Sequence, residues 1–333
     1  GWRRGLREQA AAGLAAAREE ARRVDLEVVD TVTRMYWGSV LARQVLRVGM
    51  ETLERMEVTL ALTDAMYRGG GGTVTKADYL DHRVMVESLR GMVAQLERNQ
   101  VMSGVALANT MGLSWRDTVS PADDALPFHP VQADLEGMVA TAYRFNPDWG
   151  ALEAGLQAAG GAVRSARSGH QPRVALTGSL HTWWNEADSG LATAANRDGW
   201  TVGIGIELPL FDGFLTRGRV QEAKARAARL NEERFLLRDG LGLMVREVVV
   251  GLAASEKAHR ASRGAMQAAG ENRELNLRAY REQLVDTEKV IRAQLVEAFM
   301  TAQHLRAAYE HLALRSQLSR VVGTEVLKQL QHP

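Results

Sequence analysis

Between Trp200 and Glu207 the side chains alternate without a break. Trp200, Val202, Ile204 and Ile206, continued by Leu208, take one parity, and Thr201, Gly203, Gly205 and Glu207 take the other. A period of two with one apolar face and one small or polar face predicts a half-buried strand, here over Trp200 to Leu210. Pro209 has no N–H for a ladder and closes it. Asp212 and Gly213 supply turn chemistry, and Asp212 or Thr216 suits a helix N-cap. From Arg219 onward the apolar positions recur at helical spacing, through Leu230, Leu237, Leu241, Met244, Val248 and Leu252, and predict a helix over Leu215 to Arg281. At 1.5 Å per residue such a helix would run roughly 100 Å, longer than a compact domain needs.

The rest of the chain shows the same two periods. Val29, Val32 and Tyr36, then Leu46, Met50, Leu53, Met56 and Leu60, predict one helix from Gly1 to about Met66. Gly69 to Gly72 interrupt it. No strand precedes these glycines and no Lys-Ser/Thr follows, so they form a turn between antiparallel helices rather than a phosphate cradle. A second helix is predicted from Thr75 to Met111. An irregular stretch, Gly112 to Pro130, carries Pro121, Pro127 and Pro130. Short helices follow over Gln132 to Phe145 and, with Pro147 in its first turn, from Asn146-Pro147-Asp148 to Arg167. Arg173 to Trp184 alternates again: Val174, Leu176, Gly178 and Leu180 against Ala175, Thr177, Ser179 and His181. A loop, Asn185 to Gly199, joins the two strands. A turn at Glu282 to Asp286 leads to a last helix, Thr287 to Val322.

The halves repeat. Gly1 matches Gly213, Met66-Tyr67-Arg68 matches Ala279-Tyr280-Arg281, and Thr75–Asp81 matches the stretch around Thr287–Arg292, at an offset of about 212 residues. By this pattern the first copy's strands would precede Gly1. The chain divides into a first long helical hairpin (1–112), a connection with short helices (113–172), a β-hairpin (173–210) and a second long helical hairpin (211–333).

Composition narrows the chemistry. The 333 residues carry 41 Lys+Arg against 40 Asp+Glu, a net charge of +1, which lacks the basic surplus of a nucleic-acid binder. There is no cysteine, so disulfides and thiolate metal sites are excluded. No apolar run reaches the roughly 18 residues of a membrane-spanning helix. Both strands have the 9–11 residues that cross a bilayer as tilted barrel strands, and Trp183, Trp184 and Trp200 cluster at one end as an interfacial girdle does. His304 and His311 lie seven apart on one helical face without a third ligand, which predicts solvated or packed histidines rather than a metal site. Asp123, Asp124 and His129 have no nucleophile or cleft beside them, and Ser168-Gly169-His170 has no triad logic. No catalytic residue, cofactor or metal is expected.

In order and spacing these segments resemble the outer-membrane efflux protein family, the TolC-like exit ducts. The resemblance rests on Glu207-Leu-Pro-Leu-Phe-Asp-Gly213 followed by Arg217 and Glu222-Ala-Lys-Ala225, on Gln171-Pro-Arg-Val-Ala-Leu-Thr-Gly178, on Asn146-Pro147-Asp148, and on Lys289-Val-Ile-Arg-Ala-Gln294 and Asp78-Tyr-Leu-Asp81. It implies a mainly α fold: long antiparallel helical hairpins of a periplasmic α-barrel, plus strands of a shared outer-membrane β-barrel. It also implies a homotrimer, a periplasmic adaptor and an inner-membrane pump as partners, outer-membrane lipid around the strands, and passive transport without enzymatic activity.

In such a duct Thr177, Ser179, His181, Thr201 and Glu207 would line a wet lumen, and Val174, Leu176, Val202, Ile204 and Ile206 would face lipid. The constriction would lie at the helix turns, with Asp78 and Asp81 from the first hairpin and Asp286, Lys289 and Arg292 from the second. Lys289 and Arg292 stand where the family's best-known member has acids. A basic ring favouring anionic cargo, pairing of the bases with Asp286 and Asp78, and plain surface ion pairs are the readings left open. Tyr280, Arg281 and Glu282 resemble the family's latch region. The competing reading is a soluble coiled-coil scaffold.

Overall fold

The computed structural model describes residues 1–69, 74–131, 134–183 and 197–324. Its elements are α1 (Trp2–Arg68), α2 (Lys76–Thr110), α3 (Leu135–Phe145), α4 (Pro147–Arg167), a short 3-10 turn (Ser168–His170), β1 (Arg173–Trp183), β2 (Arg197–Glu207), α5 (Leu215–Arg281) and α6 (Thr287–Val322). Helices α1 and α5 are both 67 residues long, and α2 and α6 are 35 and 36. The repeat read from the sequence is therefore a repeat of element lengths. No described helix is long and apolar enough to cross a membrane.

Several boundaries differ from the sequence expectation. The second strand begins at Arg197 rather than Trp200 and ends at Glu207 rather than Leu210. The cause is the partner strand. Arg173 pairs with Glu207, so the next rung would fall on Pro172, which has no N–H, and on the partner side Pro209 follows. At the other end Asp198 and Gly199 pair with Thr182 and His181 and extend the ladder into the expected loop. Helix α3 starts at Leu135 because Asp134 caps it, accepting the Gly137 N–H at 3.0 Å. Helix α1 continues to Arg68. Pro147 opens α4 as expected. Asp212, not Thr216, caps α5, its carboxylate accepting the Thr216 N–H at 2.9 Å. The hydrogen bond from the Thr216 hydroxyl, then that from the N–H, holds the Asp212 carboxyl below its usual range. Gly70–Gly72, Gln132, Trp184 and the loop residues 185–196 lie outside the described residues, as does the side chain of Trp183.

Contacts divide the chain into two compact units. One comprises Gly1–Glu20 and Asp148–Leu237: the start of α1, α4, the β-ribbon and the start of α5. Here α1 and α4 cross at glycines. A Cβ on Gly5 would meet the Gly161 carbonyl oxygen at 2.7 Å, and one on Gly161 would meet the Gly5 oxygen at 2.9 Å. Only residues without a side chain allow this approach. Arg164 and Glu8 join the same two helices at 3.1 Å.

The other unit comprises Ala21–Pro147 and Arg238–Pro333. One core gathers Ala142 of α3, Val245, Val248 and Leu252 of α5, and Leu318, Val321 and Val322 of α6. A second joins Met56 of α1, Val86 and Leu89 of α2, and Ile291 of α6. Leu241, Val248 and Leu252 of the expected α5 stripe are buried, but Met244 is exposed, as are Val29 and Met50 of α1. The stretch 113–131 lies along α1. The Tyr36 hydroxyl bonds Asp123 at 2.5 Å, Arg43 reaches Ser120, Pro121 and Asp123, and Gln44 donates to the Asp124 carbonyl. Asp123 and Asp124 thus serve as tethers.

Candidate channel wall and helix turns

In the β-ribbon, residues directly opposite on antiparallel strands share a face. Val174 pairs with Ile206, Leu176 with Ile204, Gly178 with Val202 and Leu180 with Trp200. On the other face Arg173 pairs with Glu207, Ala175 with Gly205, Thr177 with Gly203, Ser179 with Thr201 and His181 with Gly199. A slip of one residue in register would have mixed the two sets. The apolar face is bare: Leu176 is 76% exposed, Ile204 74% and Leu180 91%. Among the described residues the sheet has only these two strands, so both outer edges lack ladder partners. A ribbon with one greasy, uncovered face and two open edges needs an apolar layer over that face and partners along its edges.

At the helix turns, Thr75 and Asp78 form a capping box at the start of α2. The Thr75 hydroxyl accepts the Asp78 N–H at 3.2 Å and the Asp78 carboxylate accepts the Thr75 N–H at 2.8 Å. Asp286 caps α6 by accepting the Lys289 N–H at 2.8 Å. Both carboxylates are thus engaged by backbone. Arg292 pairs with Glu288 on the exposed face of α6. Asp81, Arg281, Glu282 and Lys289 are exposed, and Lys289 has no ion-pair partner among the described residues. Gln283 closes the turn with φ +58°, a left-handed conformation that costs a non-glycine residue roughly 1–2 kcal/mol.

Tyr280 is the one predicted turn residue that is fully buried. Its hydroxyl bonds Thr63 of α1 at 2.9 Å and Thr287 of α6 at 3.1 Å. Thr63 in turn meets Nδ1 of His82 of α2 at 3.1 Å. Nearby, Gln294 of α6 donates to Thr59 of α1 at 2.8 Å. A polar node therefore ties all four long helices together near their turns. Burial pushes His82 down to about 4, so it is neutral at physiological pH. Its Nε2 and the Gln294 Oε1 have no hydrogen-bond partner among the described residues. Sequence reasoning missed Thr59, Thr63 and His82, and named Thr287 and Gln294 only as helix-start and motif positions. The available signal was Thr52, Thr59 and Thr63, polar positions recurring at helical spacing inside an apolar stripe.

His304 and His311 are packed, and His259 of α5, which the sequence reading did not single out, joins them. The ring of Phe128 stacks on His259 at 3.7 Å and tilts against His311 at 4.5 Å, and His259 lies 4.5 Å from His304. No cluster of metal-ligating side chains occurs among the described residues. Ser168–His170 forms the short turn before β1, and Gly169 lies against Thr216.

Two helical hairpins of matching length and a strand ribbon with one bare apolar face define the class: a mainly helical, duplicated chain that carries a β-ribbon. The outer membrane efflux protein family matches residues 140–324, more than half of the chain, and the chain belongs to that family. It is 30% identical over 252 residues to outer membrane protein OprJ of Pseudomonas aeruginosa, which covers 74% of this chain and 50% of OprJ. It is 28% identical over 232 residues to protein CyaE of Bordetella pertussis, covering 69% of this chain and 48% of CyaE. The chain thus spans about half the length of the curated relatives it matches. Its fold is that of the outer membrane protein VceC of Vibrio cholerae: TM-score 0.81 at 17% identity, over 97% of this chain and 76% of VceC.

Proposed function

We propose that this chain is part of a passive exit duct in the outer membrane of a Gram-negative bacterium. Copies of the chain, as a homotrimer, would close their strands into a shared barrel. The long helices would continue the conduit into the periplasm, where an adaptor protein and an inner-membrane pump deliver cargo. The duct performs no covalent chemistry; it needs no cofactor and no enzymatic activity.

The observation that carries this reading is the ribbon register. It sorts Val174, Leu176, Val202, Ile204 and Ile206 onto one uncovered face and Thr177, Ser179, His181, Thr201 and Glu207 onto the other. Lipid accepts the first set and water the second. A soluble coiled-coil scaffold would need a second layer over the apolar face. At the turns, the exposed Lys289 supports a basic ring that attracts anions, whereas the Glu288 partner of Arg292 supports local neutralisation of that residue.

The full-length protein, inserted into planar bilayers, tests the duct. Ion-conducting steps and a requirement for detergent during extraction are expected. Protein that stays in buffer without detergent and yields no conductance would end the proposal in favour of the scaffold.

A further inference from the structure

We propose that Phe128, His259, His304 and His311 form an acid-operated clasp, which holds the 127–131 segment against α5 and α6 at neutral pH and releases it when the histidines take up protons. The clasp uses contacts within one chain and is independent of the duct reading.

The geometry has two layers. The first is a hydrogen-bond wiring repeated once along the α5/α6 seam. Ser255 faces Nδ1 of His311 at 2.8 Å, and Ser262 faces Nδ1 of His304 at 3.2 Å. The two serines are seven residues apart, as are the two histidines, which is the spacing an antiparallel seam imposes. Each serine hydroxyl also reaches a carbonyl of its own helix, Leu252 at 2.8 Å and His259 at 3.0 Å. Nε2 of His311 lies 2.8 Å from the His129 carbonyl, which only accepts, so this nitrogen carries a hydrogen. In the neutral ring Nδ1 then accepts from Ser255. After protonation Nδ1 donates, and the Ser255 hydroxyl turns to Leu252. His311 can therefore take a proton without orphaning a hydrogen bond.

The second layer is the ring stack, and there the added charge is opposed. One imidazolium over the face of Phe128 would be tolerated as a cation–π contact. A second on His304, 4.5 Å from His259, would not. The surrounding charges add to the repulsion. From α5, Arg263 acts on both His259 and His304. From α6, Arg315 acts on His311, and from the segment itself so does His129. Glu256 of α5 is the opposing charge at His311, and it is also the carboxylate that accepts the Val131 N–H at 2.9 Å. The segment is thus held by the Phe128 stack, by the His129 carbonyl and by the Val131 amide, all within one patch.

Burial first, and then these neighbours, pulls His259 and His304 below the ordinary histidine value of 6.5; burial does the same to His311. A group depressed in the docked state favours docking above its free value and loses that contribution as pH falls through its docked value. Docking is therefore complete above about 6.5 and weakens below it.

The test is hydrogen exchange on the full-length protein in detergent, read by mass spectrometry at pH 7.5 and pH 5 and corrected for the intrinsic rate. Protection of the Phe128, His129 and Val131 amides should fall about ten-fold or more on acidification. Protection across Leu318–Val322, in the neighbouring core, should stay within about three-fold. In a His259→Phe/His304→Gln variant, which keeps a ring on Phe128 but removes two of the three proton acceptors, the drop should shrink to the part that His311 contributes. Equal protection of the segment at both pH values would overturn the clasp. So would an undiminished drop in the double variant, or a core that loses protection in step with the segment.

Discussion

His82 illustrates how one buried side chain shapes pH behaviour. It has no exposed surface, and burial depresses it to about 4. The folded state therefore favours the neutral ring. Its contribution is fully present above the unfolded value of 6.5 and is lost as pH falls to about 4, by on the order of 2–3 kcal/mol. A His82→Asn variant should flatten the acid limb of a melting-temperature profile. Tyr280→Phe removes the hydroxyl shared by Thr63 and Thr287, and its cost should be about 1–2 kcal/mol by thermal melting. Gln283→Gly relieves a left-handed backbone and should raise the melting temperature, by about 1 kcal/mol in stability. The turn chemistry at 282–286 was visible in sequence. The strained conformation of Gln283 was not, because nothing in its side chain announces a positive φ.

At the scale of elements, the two faces of the ribbon should respond differently to the same substitution. Ile204→Lys puts a charge on the apolar face and should cost about 2–4 kcal/mol in a bilayer. Thr201→Lys, on the polar face, should cost close to nothing. Denaturation of the refolded protein in vesicles separates the two. If both variants lose stability equally, the ribbon is not lipid-facing on one side. This asymmetry was legible in sequence, because a period of two assigns faces before any partner is known. The ladder ends were less so. Pairing of Arg173 with Glu207 moved the second strand three residues toward its N-terminal side, a fact about the partner strand and its Pro172.

For the whole molecule, the chain belongs to the outer membrane efflux protein family, and the duct reading predicts how the turns tune it. Asp78 and Asp286 cap helices and so hold their charge in place, while Lys289 has no ion-pair partner among the described residues. Lys289→Glu in the full-length channel should shift the reversal potential in a salt gradient toward cation selectivity. No shift would assign Lys289 to the ordinary solvated surface.

The local pattern alone determined the element types, their order, the matching lengths of the two hairpins and the sorting of the ribbon into an apolar and a polar face. All of these follow from backbone periodicity, which acts over a few residues. Tertiary structure decided which residues far apart in the chain would meet: Thr63 with Tyr280 and His82, Glu256 with the Val131 amide, Phe128 with His259. Such pairings depend on how antiparallel helices align over dozens of residues, and no short-range period carries that alignment.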